Sequence, residues 1–264
     1  MSSDSQYITS TQNPKIKHLL ALQEKSSERR KSGLFVVEGR RELEHCIAAG
    51  YEIVSVFKSA SAADAADADF IVSPHIYERI AYRGTTEGII AIVRAKPHTL
   101  EDLAPSLKER GDGGESLFIV LESVEKPGNL GAVLRSADAA DATAVIVCDP
   151  LTDLYNPNLI RASIGACFTV PTVACSSEEC IEFLKAHGVQ ILTAQLQDSE
   201  LYYDTDMTKP TAIVMGTEAT GLSDTWREAA DAHIRIPMLG SLDSLNVSVS
   251  AAILLFEAVR QRNL

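Results

Sequence analysis

From Leu117 onward the chain alternates short apolar runs with helical stretches, and this alternation limits its possible folds more than any other feature. The runs are Leu117–Leu121, Ala144–Cys148, a short one near Phe168–Val173, Val189–Ala194, Ala212–Met215 and His233–Ile236. Helical spacing marks Leu130–Ala140, Asn158–Gly165, Glu178–His187, Asp224–Ala230 and Val249–Gln261. Runs that are apolar at nearly every position suit strands buried on both faces, and parallel strands need crossovers such as these helices. The expected class is α/β, a mostly parallel sheet with helices on both faces. Ligands of such sheets bind outside the carboxyl ends of the strands.

The first half is a smaller β-α-β-α-β unit. It begins with an extended segment and a helix striped by Ile16, Leu19 and Leu20, with Lys15, Lys17 and Lys25 off the stripe. Strands follow at Leu34–Val37, Glu52–Phe57, Asp69–Val72 and Gly88–Arg94. The Ala- and Asp-rich Ser59–Asp69 reads as a helix or solvated loop. Residues 106–115 carry three glycines and alternating charges, which cannot pack a core and mark a flexible linker. The expected domains are therefore 1–105 and 116–264.

The net charge of −12 argues against nucleic-acid binding, because phosphate neutralisation dominates such affinity. Its distribution softens that objection. Residues 1–41 carry a local +4 and the remainder −16. A basic end on an acidic body is compatible with RNA contact through one region. It is equally what a solvated helix face would show. The five cysteines form no C-x-x-C pair, which fits reduced, buried thiols in a cytoplasmic protein. Cys175, Cys180 and His187 lack a fourth ligand at a usual spacing, so no metal is expected. No apolar run reaches the roughly 18–20 residues of a membrane span. The start, M-S-S-D-S-Q, has no signal pattern.

Three stretches carry the chemistry. The first is Glu122-Ser-Val-Glu-Lys-Pro-Gly-Asn-Leu-Gly-Ala-Val-Leu-Arg. Asn129 suits a helix N-cap, Gly131 allows close approach, and Arg135 is a lone cation among apolar and small neighbours. The second is Ile213-Val-Met-Gly-Thr-Glu-Ala-Thr-Gly-Leu, a buried strand running into Gly216 with Gly221 five residues on. Glycines at a strand's carboxyl end let a ligand touch backbone amides. Glu218 has the acceptors to order Arg135 or a ligand; a turn carboxylate fits as well. The third is Ile236-Pro-Met-Leu-Gly-Ser-Leu-Asp-Ser-Leu-Asn-Val-Ser-Val-Ser, where a strand ends at Pro237 and a Gly/Ser loop leads into a small-residue helix start. Ser244 and Asn246 sit there on a tight turn, at a pocket floor. No G-x-G-x-x-G fingerprint and no Gly-Lys-Ser/Thr P-loop occurs, which counts against an NAD-dependent oxidoreductase.

In this order and spacing the three stretches resemble the signatures of the SpoU (TrmH-type) branch of the SPOUT RNA methyltransferases. The chain departs from the commoner form at Ala219, where Gly or Arg is frequent. The resemblance implies a deep trefoil knot in the C-terminal domain and S-adenosylmethionine as cofactor. It implies that Gly216, Ile236 and Leu245 hold adenine and ribose, with Met238 and Leu239 lining the pocket. Asn129, Arg135, Glu218, Ser244 and Asn246 become the catalytic set, with Arg135 at the methyl-acceptor hydroxyl. The run L-F-V-V-E-G-R-R-E-L at 34–43 resembles the L30e-like substrate-binding domain of many members, which implies RNA-facing roles for Arg40 and Arg41. A strand-to-helix turn with solvent-facing arginines fits the same residues. The run at 156–166 resembles the segment between the first two signatures, placing Arg161 and Ser163 on the acceptor side; a capped helix explains it nearly as well. The implied activity is methyl transfer to a ribose 2′-hydroxyl of RNA by a homodimer. Ribosomal RNA is favoured because the N-terminal domain is long and no basic helix extends the end. A transfer RNA methyltransferase and a non-catalytic RNA-binding relative are the alternatives.

Overall fold

The structure is a computed structural model that describes residues 6–62, 64, 68–82, 87–109, 116–217, 220–242 and 244–263. Two compact units emerge: Met1–Lys96 with Asp153–Thr169, and Pro97–Thr152 with Val170–Leu264.

The second unit is built on the strand Leu117–Glu122, in which all six residues are buried. Thr211–Met215 and Ala144–Cys148 flank it, both parallel. Thr172–Cys175 closes one edge. On the other side lie Gln190–Ala194, Ala232–Arg235 and the short Glu200–Leu201. All these pairings are parallel, as the near-continuous apolar runs require. The chain moves outward through Ala144–Cys148 to Thr172–Cys175, then crosses by the helix Ser177–Ala186 to the far side. That reversal of direction creates a switch point beside the central strand, where α/β sheets bind ligands. On one face Phe118, Val120, Ile146, Val214, Leu184 and Trp226 form a core. The final helix, Val247–Arg262, packs on the helix Pro127–Ala139 and on the two central strands.

The first unit is a mixed five-stranded sheet in the order Gln6–Ile8, Phe70–Val72, Ile53–Ser59, Ile89–Arg94, Leu34–Glu38. Alternation along Leu34–Glu38 feeds two cores. Val36 joins Ile16, Leu19, Leu22 and Phe57 on one face, while Phe35 and Val37 join Leu43, Cys46 and Tyr51 on the other.

Several expectations need correction. Phe168 is not in a strand. It lies in the short helix Ala166–Thr169, its ring stacked on Phe35 at 5.9 Å, and the strand begins only at Thr172 after Pro171. Its apolarity serves the first unit's core. Asn129 is not an N-cap, because Pro127 takes the first helical position and Lys126 the cap. On the final helix the buried residues are Val247, Ala251, Leu254, Leu255, Glu257 and Ala258, whereas the apolar Val249 and Phe256 are each 47% exposed. Small Ala251 and Ala258 let the helix approach its neighbours closely. The expected linker is partly structured: residues are helical at Glu101–Leu103 and at Ala104–Glu109, which runs into it, with Leu100 and Leu103 buried in the second unit's core and Leu107 packed against that core. Residues 110–115 and part of Ser59–Asp69 lie outside the described residues. No helix among the described residues is long and apolar enough to cross a membrane.

Within the first unit, Arg29 is only 5% exposed and its Nε donates to Asp153 Oδ2 at 2.6 Å, across 124 residues of chain. Its Nη1 donates to the Leu22 and Gln23 carbonyls. Removing Asp153 strands a buried charge. Asp153→Ala is expected to cost about 3–5 kcal/mol in urea unfolding, and Arg29→Met on that background to recover part of it.

Candidate active site

The second signature opens the site. Met215 ends its strand and Gly216 follows, where the loop folds back on itself. The Thr217 amide donates to the Gly221 carbonyl at 3.2 Å, and the Gly221 amide returns a bond to the Thr217 carbonyl at 3.1 Å. Gly221 has φ +68°, a conformation that side chains rarely adopt. A Cβ on Gly216 would overlap the Gly221 carbonyl group and lie 2.6 Å from the Leu222 nitrogen. Backbone therefore occupies the space where a side chain would stand.

Around this turn lies a cavity of about 410 Å³ at the carboxyl ends of three strands. Ala194 and Gln195, Met215 and Gly216, and Ile234 to Ile236 line it from the strand ends; Met238, Ser244, Leu245, Val247 and Ser250 line it from the third signature. Its size falls within the roughly 300–1,000 Å³ of small-molecule sites. Of the five proposed cofactor residues, Gly216, Ile236, Met238 and Leu245 line it, and so does Ser244. Leu239 does not. It is 96% exposed and points away into solvent.

Side-chain hydrogen bonds tie the signatures together. Asn246 caps the final helix, its Oδ1 accepting from the Ser248 amide at 3.0 Å and the Ser248 hydroxyl at 2.6 Å. Its Nδ2 donates to Asn129 Oδ1 at 3.1 Å. The third signature is thereby fixed to the first turn of the helix that carries Arg135. Six residues separate Asn129 from Arg135, about 9 Å along the axis, and Arg135 is exposed. Glu122, nearly buried at the end of the central strand, accepts from the Ser223 amide at 2.9 Å and pins the second signature's exit. Glu218 and Ala219 lie outside the described residues.

Sequence reasoning passed over two cationic members of the lining. Arg227 borders the cavity with its Nε buried and without a hydrogen-bond partner among the described residues, while its Nη1 lies 3.7 Å from Asp224. Arg235 also borders it and donates from Nη1 to Ser199 Oγ at 3.3 Å. Neither belongs to a signature, and only the fold brings them here.

The three RNA-assigned arginines belong to the other unit. Arg40 donates from Nη2 to Asp64 Oδ2 at 3.0 Å, and that bond raises its pKa. The Asp64 carboxyl is held down to about 2 by the Lys58 ammonium and then by Arg40. Arg41 reaches Glu42 at 3.3 Å. Arg161 donates to Asn158 and lies 5.2 Å from the centre of the Tyr82 ring, while Ser163 is buried and donates to the Ile160 carbonyl.

A glycine-walled cavity at a switch point, with an arginine-bearing helix bound to its floor, is the arrangement of a methyltransferase of the class the signatures resemble. The chain belongs to the SpoU rRNA Methylase family, whose model matches residues 116–256. A second model, the MRM3-like substrate binding domain, matches residues 13–91. The chain is 40% identical over 182 residues to the 23S rRNA (guanosine-2′-O-)-methyltransferase RlmB of Pseudomonas syringae pv. tomato, covering 68% of this chain and 72% of that protein. A crystal structure of an RNA 2′-O ribose methyltransferase matches 98% of this chain and 100% of its own, with 39% identity and a TM-score of 0.82. The AdoMet-bound rRNA methyltransferase from Sinorhizobium meliloti matches 98% of each chain, with 28% identity and a TM-score of 0.87.

Gly216→Ala is expected to force the Gly221 backbone aside and cost about 1–3 kcal/mol. Urea unfolding measures this, and an unchanged midpoint would contradict the close approach.

Proposed function

We propose that the protein transfers the methyl group of S-adenosylmethionine to a ribose 2′-hydroxyl of large-subunit ribosomal RNA. The observation that carries this reading is the Asn246–Asn129 bond, which joins the cavity floor to the helix bearing Arg135. The likeness to RlmB along most of both chains supports ribosomal RNA as the substrate, and so does the substrate-binding model over residues 13–91.

The cavity fits the cofactor. Gly216 puts backbone rather than a side chain on the cavity wall, and Ile236, Met238 and Leu245 offer apolar walls for a purine. When bound, S-adenosylmethionine supplies the electrophilic methyl group. The cofactor carries a sulfonium, an ammonium and a single carboxylate. A guanidinium on the wall repels the first two and attracts the third, so Arg227 and Arg235 define the carboxylate end. The acceptor side belongs to Arg135. A guanidinium stays protonated at neutral pH, so Arg135 acts by pairing with RNA phosphate and stabilising the developing alkoxide rather than by removing the proton. Asn129 and Asn246 hold its helix in register with the cavity, and Ser244 borders the acceptor side.

In this reading residues 1–105 bind RNA through Arg40 and Arg41, and Arg161 adds a third guanidinium; their present partners give way to phosphate. The protein works in the cytoplasm, where ribosomes assemble. It acts as a homodimer through the exposed apolar face of the final helix, where Val249 and Phe256 stand half in solvent. The family's trefoil knot is part of the proposal. Supporting it, the segment at 205–209 is bound across the end of the final helix: Gln261 Nε2 donates to the Thr205 carbonyl and Arg262 Nε to the Met207 carbonyl.

Two substitutions separate the roles. Arg135→Ala is expected to abolish methyl transfer to RNA while leaving calorimetric affinity for S-adenosylmethionine within about twofold, because its contacts are with RNA and the developing alkoxide and not with the cofactor. Loss of cofactor binding would refute that role. Arg227→Gln is expected to weaken S-adenosylhomocysteine about tenfold or more, the equivalent of one charge-assisted bond. Affinity for 5′-methylthioadenosine, which lacks the carboxylate, stays unchanged; equal loss for both ligands would contradict the assignment.

A further inference from the structure

A second cluster of chemistry lies at the carboxyl edge of the same sheet, on the opposite side of the central strand from the cavity. Cys148 ends the strand Ala144–Cys148 and Cys175 ends Thr172–Cys175; the two strands are parallel with these residues in register. Cys180 lies in the helix Ser177–Ala186, which begins two residues after Cys175. The three Sγ atoms all lie within 4.8 Å of one another. Cys148 and Cys180 are fully buried, and Cys175 is half-buried.

The backbone under this trio is fastened. The Ser177 hydroxyl donates to Asp149 Oδ2 at 2.6 Å, and the buried Trp226 Nε1 donates to Ser177 Oγ at 2.9 Å. The residue after Cys148 is thereby locked to the first turn of the helix carrying Cys180. Supports of this kind are what hold soft-metal ligands in place. None of these residues lines the cavity or carries a role in methyl transfer.

We propose that Cys148, Cys175 and Cys180 form a three-sulfur site for copper(I). A metal–sulfur distance of about 2.3 Å in a trigonal plane sets sulfurs about 4 Å apart, within the observed separation. Thiolates select copper(I) and zinc among the common metals. Structural zinc takes four ligands, and among the described residues no fourth His, Cys, Asp or Glu atom joins the group. The nearby Asp149 carboxylate is engaged by Ser177. Cys175, the only one of the three that is not fully buried, is the point of entry. Each sulfur that binds as thiolate releases its proton to solvent, and no electron is transferred.

The test is an anaerobic titration of the reduced, full-length protein with copper(I) buffered by bicinchoninate. The expected result is transfer of one copper(I) per chain, with the luminescence of a solvent-shielded cuprous thiolate. Cys175→Ser is expected to abolish both while keeping S-adenosylhomocysteine binding, which shows that the variant folds. Cys167→Ala, in the other unit, is expected to leave both intact. Four results would overturn the proposal: no copper taken from the competitor, undiminished stoichiometry in Cys175→Ser, loss of the signal in Cys167→Ala, or zinc(II) held more tightly than copper(I).

Discussion

The hydrogen bond from Asn246 to Asn129 joins residues 117 positions apart, and the site depends on it. Each asparagine has a local duty as well. Asn246 caps the final helix through Ser248, and Asn129 sits in the first turn of the helix ending at Ala139. Their contact turns two independent helix starts into one rigid corner. Glu122 does the same for the second signature by receiving the Ser223 amide. Three loops at the sheet's carboxyl edge are thus held by side chains that the loops themselves supply. This is how a site assembled from distant segments keeps the near-ångström precision that positioning catalysis demands.

Much of this was legible in the chain. Continuous apolar runs such as Phe118-Ile-Val-Leu permit little except a buried parallel strand, and Gly216 and Gly221 marked a tight turn at a strand's carboxyl end, where the structure has one. Other features were hidden for physical reasons. Phe168 reads as strand-forming, yet its ring serves the aromatic cluster of Phe35 and Tyr51. The final helix is apolar or small nearly all round, so periodicity alone does not select its buried face; the close-packing Ala251 and Ala258 lie on it, while Val249 and Phe256 stay exposed. Leu239 was assigned to the pocket by the family resemblance, but on the loop after Pro237 it stands in solvent. Arg227, Arg235 and the three converging cysteines are tertiary products. Nothing in linear spacing announces them.

Electrostatics also divides along the fold. A net charge of −12 opposes RNA over most of the surface. The arginines of the first unit are partly spoken for: Arg40 by Asp64, Arg41 by Glu42, and Arg161 by Asn158 and the Tyr82 ring. Exposed pairs of this kind are weak, so a phosphate can displace the carboxylate at little cost. Such pairing discourages indiscriminate adhesion to nucleic acid while leaving the guanidinium groups available to a well-placed backbone. Arg135 is exposed on its helix, and in the proposed reaction it stands on the acceptor side.

The central claim is tested most directly by incubating the purified protein with methyl-labelled S-adenosylmethionine and unmodified large-subunit ribosomal RNA, then digesting the product with alkali. A 2′-O-methyl group blocks cleavage of the adjoining phosphodiester. The account predicts that the label is recovered in alkali-resistant dinucleotides. Label recovered in mononucleotides would mean that the methyl group goes to a base, and no incorporation into this RNA would contradict the proposed substrate.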